Sequence, residues 1–302
     1  MRLEVAPGCA ASAVSPGSKG LPLKVAFHTY PKFWPFPVSW KRWSKLSYKY
    51  EMGHALRQGM KRHGVTTIRA RKYEPTGESD VAVVWSWKQP RLIEAMLAGG
   101  RHVIVMERGF LPKRKDWCSL ALDGFNGRGR FAPAPDGGAR WNRHFAHLLK
   151  PWRSGGDYAL MIGKGPNDPS LHGADFEAWT RRTTDSLVAR GQRVRYRPHP
   201  DRPTPCPPGA ELSTGTLAED LAHAAMIVSF NSSTDVEAIL SGIPGIITDA
   251  GSLCYPIAAH DVSEPLVRPD RTQWCHDMAW RQWTIEELRN GDAWDHVRQL
   301  LD

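Results

Sequence analysis

Two short segments gather side chains that could do chemistry together. Arg197-Pro198-His199-Pro200 follows the apolar end of a strand-like run. About thirty residues later, Phe230-Asn231-Ser232-Ser233-Thr234-Asp235 follows another such run. It opens a helical pattern that carries Glu237 and closes at Gly242-Ile243-Pro244. A helix start rich in Ser and Thr offers backbone N–H groups and hydroxyls to an anion. A histidine at a neighbouring strand end can donate to a phosphate. A carboxylate one turn into the helix can accept from the two hydroxyls of a ribose. Taken singly, Ser232–Thr234 would be an ordinary helix cap and His199 an ordinary loop residue. Together they describe a holder for a nucleoside diphosphate.

The elements that must position these residues alternate along the chain. Strand patterns are predicted at Leu23–His28, Val65–Arg69, Asp80–Trp85 and His102–Met106, with helices over Glu51–His63 and Pro90–Leu97 between them. Residues 111–157 are irregular, and 150–157 (KPWRSGGD) read as a linker. A second alternation follows: strands at Tyr158–Ile162, Val194–Arg197, Met226–Phe230 and Gly245–Thr248, with helices at Ala174–Arg190, Leu217–Ala224 and Thr234–Ser241. A final helix is predicted over Thr284–Leu301, opened by a capping box of Thr284 and Glu287. The expected fold class is therefore α/β, with two Rossmann-like doubly wound domains facing across a cleft. The expected division is a Gly/Ser/Pro/Ala arm over 1–20, a basic domain over 21–152, and a nucleotide-holding domain over 153–302. In open α/β sheets ligands sit beyond the carboxyl ends of the strands, where both segments lie.

The series R-P-H-P, then S-S-T at a helix start, then E-A-x-x-x-G-x-P resembles the donor-binding half of GT-B glycosyltransferases. The likeness is closest to the branch with capsular polysaccharide and Kdo transferases, and it covers residues 155–250. The resemblance implies that Arg197, His199, Ser232, Ser233 and Thr234 lie at the donor phosphates and Glu237 at the donor ribose. It adds Gly163 and Lys164, in Ile162-Gly163-Lys164-Gly165, as a phosphate-side loop whose lysine neutralises the leaving diphosphate. The family works without a bound metal, using protein donors and helix dipoles. This sequence has no D-x-D after a strand; Asp292 and Asp295 lie near the final helix and are expected to be solvated. The implied cofactor is thus only the nucleotide-sugar donor, with UDP-glucose or a similar hexose donor expected.

Transfer to a hydroxyl needs a base, which the resemblance assigns to the first domain. Glu107, ending the strand His102–Met106, is the first candidate, with Arg108 beside it to keep it ionised or to hold a phosphate. Asp123, Asp116 and His28 are the alternatives. For the acceptor, residues 30–50 interleave eight aromatics with five Lys and Arg, including Trp40, Lys41, Arg42, Trp43 and Lys45. Aromatics stack on bases and cations neutralise phosphates. Lys113, Arg114 and Lys115, with Arg128 and Arg130 nearby, form a second cluster.

Charge sharpens that reading. The 302 residues carry a net +9. Residues 1–150 hold 26 Lys and Arg against 10 Asp and Glu, a balance of +16; residues 151–302 hold 14 against 21, a balance of −7. A basic half points to a polyanion. DNA is the expected partner, as in the bacteriophage transferases that glycosylate hydroxymethylated pyrimidines on the same GT-B plan. A capsule or lipopolysaccharide transferase, a sugar-nucleotide epimerase and a non-catalytic DNA-binding protein are the competing readings. Five cysteines without a C-x-x-C pair fit a reducing compartment. No run of about 18 apolar residues is present, so no membrane span is expected. A cytoplasmic monomer is the expectation.

Overall fold

The computed structural model describes residues 23–29, 40–70, 77 and 79–301, and of residues 40–46 the backbone alone. Its central strands form where short apolar runs can be buried on both faces. β1 (Lys24–Phe27), α1 (Trp40–Arg62), β2 (Thr66–Arg69), β3 (Val81–Trp85), α2 (Pro90–Ala98) and β4 (His102–Arg108) follow one another. The four strands are parallel, in the order β4-β3-β1-β2.

The alternation then breaks. β5 (Cys118–Leu122) returns antiparallel beside β4, with Glu107 opposite Ser119 and Arg108 opposite Cys118. Only nine residues separate the two strands, and a parallel crossover needs roughly a dozen or more. The turn between them is tight at Gly109, where a Cβ would stand 2.5 Å from that of Trp117. α3 (Ala139–His144) then leads towards the second sheet.

That sheet contains β6 (Tyr158–Ile162), β7 (Val194–Arg197), β8 (Glu211–Leu212), β9 (Ala224–Ser229) and β10 (Gly245–Ile247). Its helices are α4 (Phe176–Ala189), α5 (Leu217–His223) and α6 (Thr234–Leu240). All five strands are parallel, in the order β10-β9-β6-β7-β8. The order reverses beside β6, so the loops after β6 and β9 flank the switch point where ligands bind.

After α7 (Thr272–Trp280) the chain crosses back. β11 (Gln282–Trp283) pairs antiparallel with β5, extending the first sheet. α8 (Ile285–Asn290) and α9 (Asp292–Val297) follow. Trp283, Leu288, Trp294 and Val297 share one apolar core with Val25, Leu56 and Ile104. The expected limit at 152/153 assigns residues 282–301 to the second domain, whereas their strand and core partners belong to the first. The capping box at Thr284 is present, with Glu287 N donating to Thr284 Oγ1 at 3.2 Å and Thr284 N to Glu287 Oε2 at 2.8 Å. The single expected helix is two, because Gly291 takes φ +104°, a left-handed conformation that ends α8.

A shared cluster joins the halves: Phe110, Trp117 and Trp141 pack with Val236, Ile239, Trp274 and Met278. Next to it Arg140 is buried, 2.8 Å from Glu287 Oε2, with its guanidinium 5.1 and 4.9 Å from the Trp280 and Trp283 rings. Seven of the ten tryptophans with described side chains are buried, so most of them build cores rather than ligand platforms. Among the described residues no helix is long and apolar enough to cross a membrane.

Candidate functional site

A cavity of about 440 Å³ lies between the two sheets. From the first half it takes Lys49, Trp85, Ser86, Lys88, Glu107, Arg108, Arg114, Phe125 and Asn126. From the second it takes Lys164, Asp168, Pro169, Ser170, His199, Arg202, Asn231 and Ser233. Most of these residues stand just past the carboxyl end of a strand, as the topology requires. Six Lys or Arg side chains face two carboxylates, Glu107 and Asp168, so the cavity favours anions.

On the second-domain side, Gly163 is closely packed against buried Tyr196, and Gly165 lies under the Arg202 side chain. A Cβ would come 2.5 Å from the Tyr196 hydroxyl at Gly163 and 2.7 Å from the Arg202 guanidinium at Gly165. Between them Lys164 is buried and donates from Nζ to the Asn231 carbonyl at 2.7 Å. Burial lowers its pKa, while Asp168, Asp235 and Asp249 oppose that shift. His199 Nδ1 accepts from the backbone N–H groups of Asp201 and Arg202, both at 3.2 Å. With Nδ1 an acceptor, a neutral ring carries its proton on Nε2 and can donate there.

The loop after β9 is held from below. Asn231 Nδ2 donates to Asp249 Oδ1 at 2.6 Å and to the Ser170 carbonyl at 2.8 Å. Ser232 N donates to Asp235 Oδ2 at 3.0 Å, and Thr234 N to Ser232 Oγ at 3.2 Å. Asp235 is fully buried, and desolvation pushes its pKa up to about 6 against hydrogen bonds from Ser252 Oγ and Ser232 N. Ser233 is exposed, and its hydroxyl accepts from Arg114 Nη1 at 3.0 Å. Thus Ser232 braces the start of α6, while Ser233, at the cap position without a side-chain cap bond, faces the cavity.

Glu237 lines a neighbouring cavity of about 550 Å³, whose walls include Pro112, Leu148, Leu217, Leu221 and Leu240. Arg114 stands at the boundary, with electrostatic contact to both Glu237 and Glu107. Arg197 departs from the expectation. It turns away from the cavity into an ion pair with buried Asp220 at 2.7 Å and donates to the Gly215 carbonyl at 2.8 Å. Asp220 sits on α5 and takes that guanidinium to balance its own buried charge. Gly163 and Thr234 do not line the cavity.

On the first-domain side, Glu107 and Arg108 reach the cavity together at the end of β4. Ser86, directly after β3, holds φ +59°, a strained conformation for a non-glycine residue and of the kind that accumulates at functional loops. Three alternative bases are placed elsewhere. Asp123 sits at the opposite end of β4, bound to Val103 N at 2.9 Å, His102 Nδ1 at 2.8 Å and Arg130 at 3.2 Å. Asp116 is exposed on the turn before β5, outside the cavity lining. His28 is buried at the end of β1 and does not line the cavity.

The second basic cluster disperses. Lys113 and Lys115 are exposed and outside the lining. Arg128 instead pairs with Asp249 of the second domain at 2.6 Å, beside a bond from Gly127 N to the Gly251 carbonyl at 2.9 Å. Arg130 is tied to Asp123 and to the Leu300 carbonyl at 3.0 Å. Trp40, Lys41, Arg42, Trp43 and Lys45 fall on the first turns of α1, and their side chains lie outside the described residues. Ser86, Lys88, Asp168 and Arg202 are not expected at the site from the sequence; Lys49 is expected in the acceptor segment, and Asn231 in the helix-start motif without a role of its own. Their shared signal is position: five follow strand ends, and Lys49 lies on α1, the helix after β1. Among the described residues no three His, Cys, Asp or Glu side chains gather as a metal-binding group.

No protein-family model matches the chain, and no curated protein does. Solved structures do. The KpsC beta Kdo 2,7 transferase of Thermosulfurimonas dismutans superposes with a TM-score of 0.52 at 13% identity, covering 93% of this chain and 100% of that one. The KpsC beta Kdo 2,4 transferase of the same organism gives 0.52 at 12% identity, over 84% and 90% of the two chains. The common fold is GT-B: two Rossmann-like domains facing across a cleft.

Proposed function

We propose that this chain is a glycosyltransferase that moves a sugar from a nucleotide-sugar donor to a hydroxyl of an anionic acceptor. One observation carries the reading. Glu107 of the first domain shares a cavity with Lys164, His199 and Ser233 of the second. In the proposed step the Glu107 carboxylate takes the acceptor's hydroxyl proton as that oxygen attacks the anomeric carbon. The bond from that carbon to the donor phosphate breaks, and its electron pair leaves with the phosphate. Lys164 and the Nε2–H of His199 stabilise the charge that develops there. The nucleoside lies in the adjoining cavity, its base against Leu217, Leu221 and Leu240 and its ribose hydroxyls donating to Glu237.

The excess of six cations over two carboxylates exceeds what one phosphate group needs, so a substrate with a further acid group is favoured. Kdo, the sugar named for the two KpsC structures, is such an acid. A second reading keeps hydroxymethylated DNA as acceptor and UDP-glucose as donor, and the +16 balance of residues 1–150 supports it. Incubation with UDP-glucose or nucleotide-activated Kdo, each against hydroxymethylated duplex DNA and a Kdo-terminated oligosaccharide, separates the two. The expected product is an extended acidic oligosaccharide. Glucosylated DNA would favour the second reading, and saturating neither donor would sink both.

A further inference from the structure

We infer that Arg114, a first-domain residue, binds the donor's phosphate across the cleft and stabilises it as the leaving group. The inference rests on the proposed donor site and adds a group from the opposite domain to it.

The charges of the second domain are largely spoken for. Lys164 Nζ is committed to the Asn231 carbonyl, with Asp168, Asp235 and Asp249 within electrostatic reach. Arg202 pairs with Asp168 at 3.4 Å. A phosphate arriving between them meets positive charge that carboxylates already balance.

Arg114 differs in geometry: Glu237 and Glu107 lie within electrostatic reach, but among the described residues its hydrogen bonds go to neutral groups. Its Nε donates to the Gly109 carbonyl at 2.7 Å, and Nη1 to Ser233 Oγ at 3.0 Å. The other N–H groups of the guanidinium make no hydrogen bond among the described residues, and the side chain lines the cavity with Lys164 and His199. The turn that carries it is rigid. Gly109 N donates to the carbonyls of Arg114 and Trp117 at 3.1 and 2.8 Å. Buried Gln282 Oε1 accepts from Phe110 N at 2.8 Å and Leu111 N at 3.1 Å. A preorganised fork aimed at an oxyanion position is what leaving-group stabilisation requires. Ser233 marks that position, since its hydroxyl already holds one N–H of the fork.

The test is calorimetric titration of the full chain with UDP, uridine, CMP and cytidine, in the wild type and the R114Q, R114K and K113Q variants. Wild-type chain should bind at least one nucleotide more tightly than its nucleoside. R114Q should lose roughly tenfold to a hundredfold of that nucleotide affinity while nucleoside affinity stays within about twofold. R114K should lose less, and K113Q, altering an exposed charge on the same turn, should change nothing. Nucleotide affinity unchanged in R114Q would overturn the inference and leave the donor site standing. An equal loss for nucleoside and nucleotide would overturn it too, by showing that Arg114 only supports the turn. Wild-type chain that binds no nucleotide would remove the donor site, and the inference with it.

Discussion

The two sides of the cleft are built differently. The proposed donor side is local: its loops at 163–170, 199–202 and 231–235 follow strands of one parallel sheet and are braced through Asn231, Asp235 and Asp249. Its cations are balanced by its own carboxylates. The facing side is assembled from distant parts: a helix at Lys49, a strained turn at Ser86, a strand end at Glu107 and a hairpin turn at Arg114. Gln282, 172 positions from Phe110, locks that hairpin. Its cations exceed its single cavity carboxylate. The difference teaches how the proposed reaction would divide the work: the second domain as a fixed receptacle, the first as the source of charge and of the proton acceptor.

The sharpest way to break that division is Glu107→Gln. Transfer should fall by roughly 10²- to 10⁴-fold, with nucleotide affinity unchanged by titration. A parallel loss of nucleotide binding would mean that the two sides are not separable.

Lys164→Met attacks the other side. Nucleotide affinity should fall by roughly tenfold to a hundredfold, and acceptor KM should stay constant in initial-rate assays. An acceptor defect of equal size would contradict a donor role for the loop after β6.

Asp235→Asn probes the brace beneath Ser232. A buried carboxyl raised to about 6 binds its proton more tightly in the folded chain than in the unfolded chain, where the value is about 3.9. Its contribution to stability is therefore fully present below about pH 4 and lost as pH rises to about 6. Thermal melts of the wild type should show that decline, and the Asn variant should flatten it. An identical slope in both would assign the pH response to other groups.

The smallest effect is expected from Arg128→Ala, which cuts the interdomain pair with Asp249. Both groups are partly exposed, so stability should change by about 1 kcal/mol or less. Because Asp249 also holds Asn231, nucleotide affinity should weaken by a few-fold at most. A change in melting with none in binding would confine the pair to domain docking.

What was legible in the sequence follows the same divide. The loops proposed to hold the donor could be placed at the cavity because each depends on residues a few positions apart: an apolar strand, a turn, then a helix start. Ser233, His199 and Lys164 reach the cavity for that reason. Arg197 misled because its partner, Asp220, lies on another element, and a buried carboxylate outcompetes the cleft for the guanidinium. Asp123 misled likewise, since the antiparallel return of β5 carries it to the far end of β4. The crossing of β11 and the helices after it depends on packing between opposite ends of the chain. No periodicity within either segment reports such a pairing.

The central claim is that a nucleotide seats on the second domain opposite Glu107 of the first, and a crystal structure of the chain soaked with UDP or CMP tests it most directly. The account predicts phosphate oxygens within hydrogen-bond distance of His199 Nε2 and Ser233 Oγ, with ribose hydroxyls on Glu237 and Glu107 facing the open end. A nucleotide seated elsewhere, such as the groove lined by Trp179, Arg190 and His260, would contradict it.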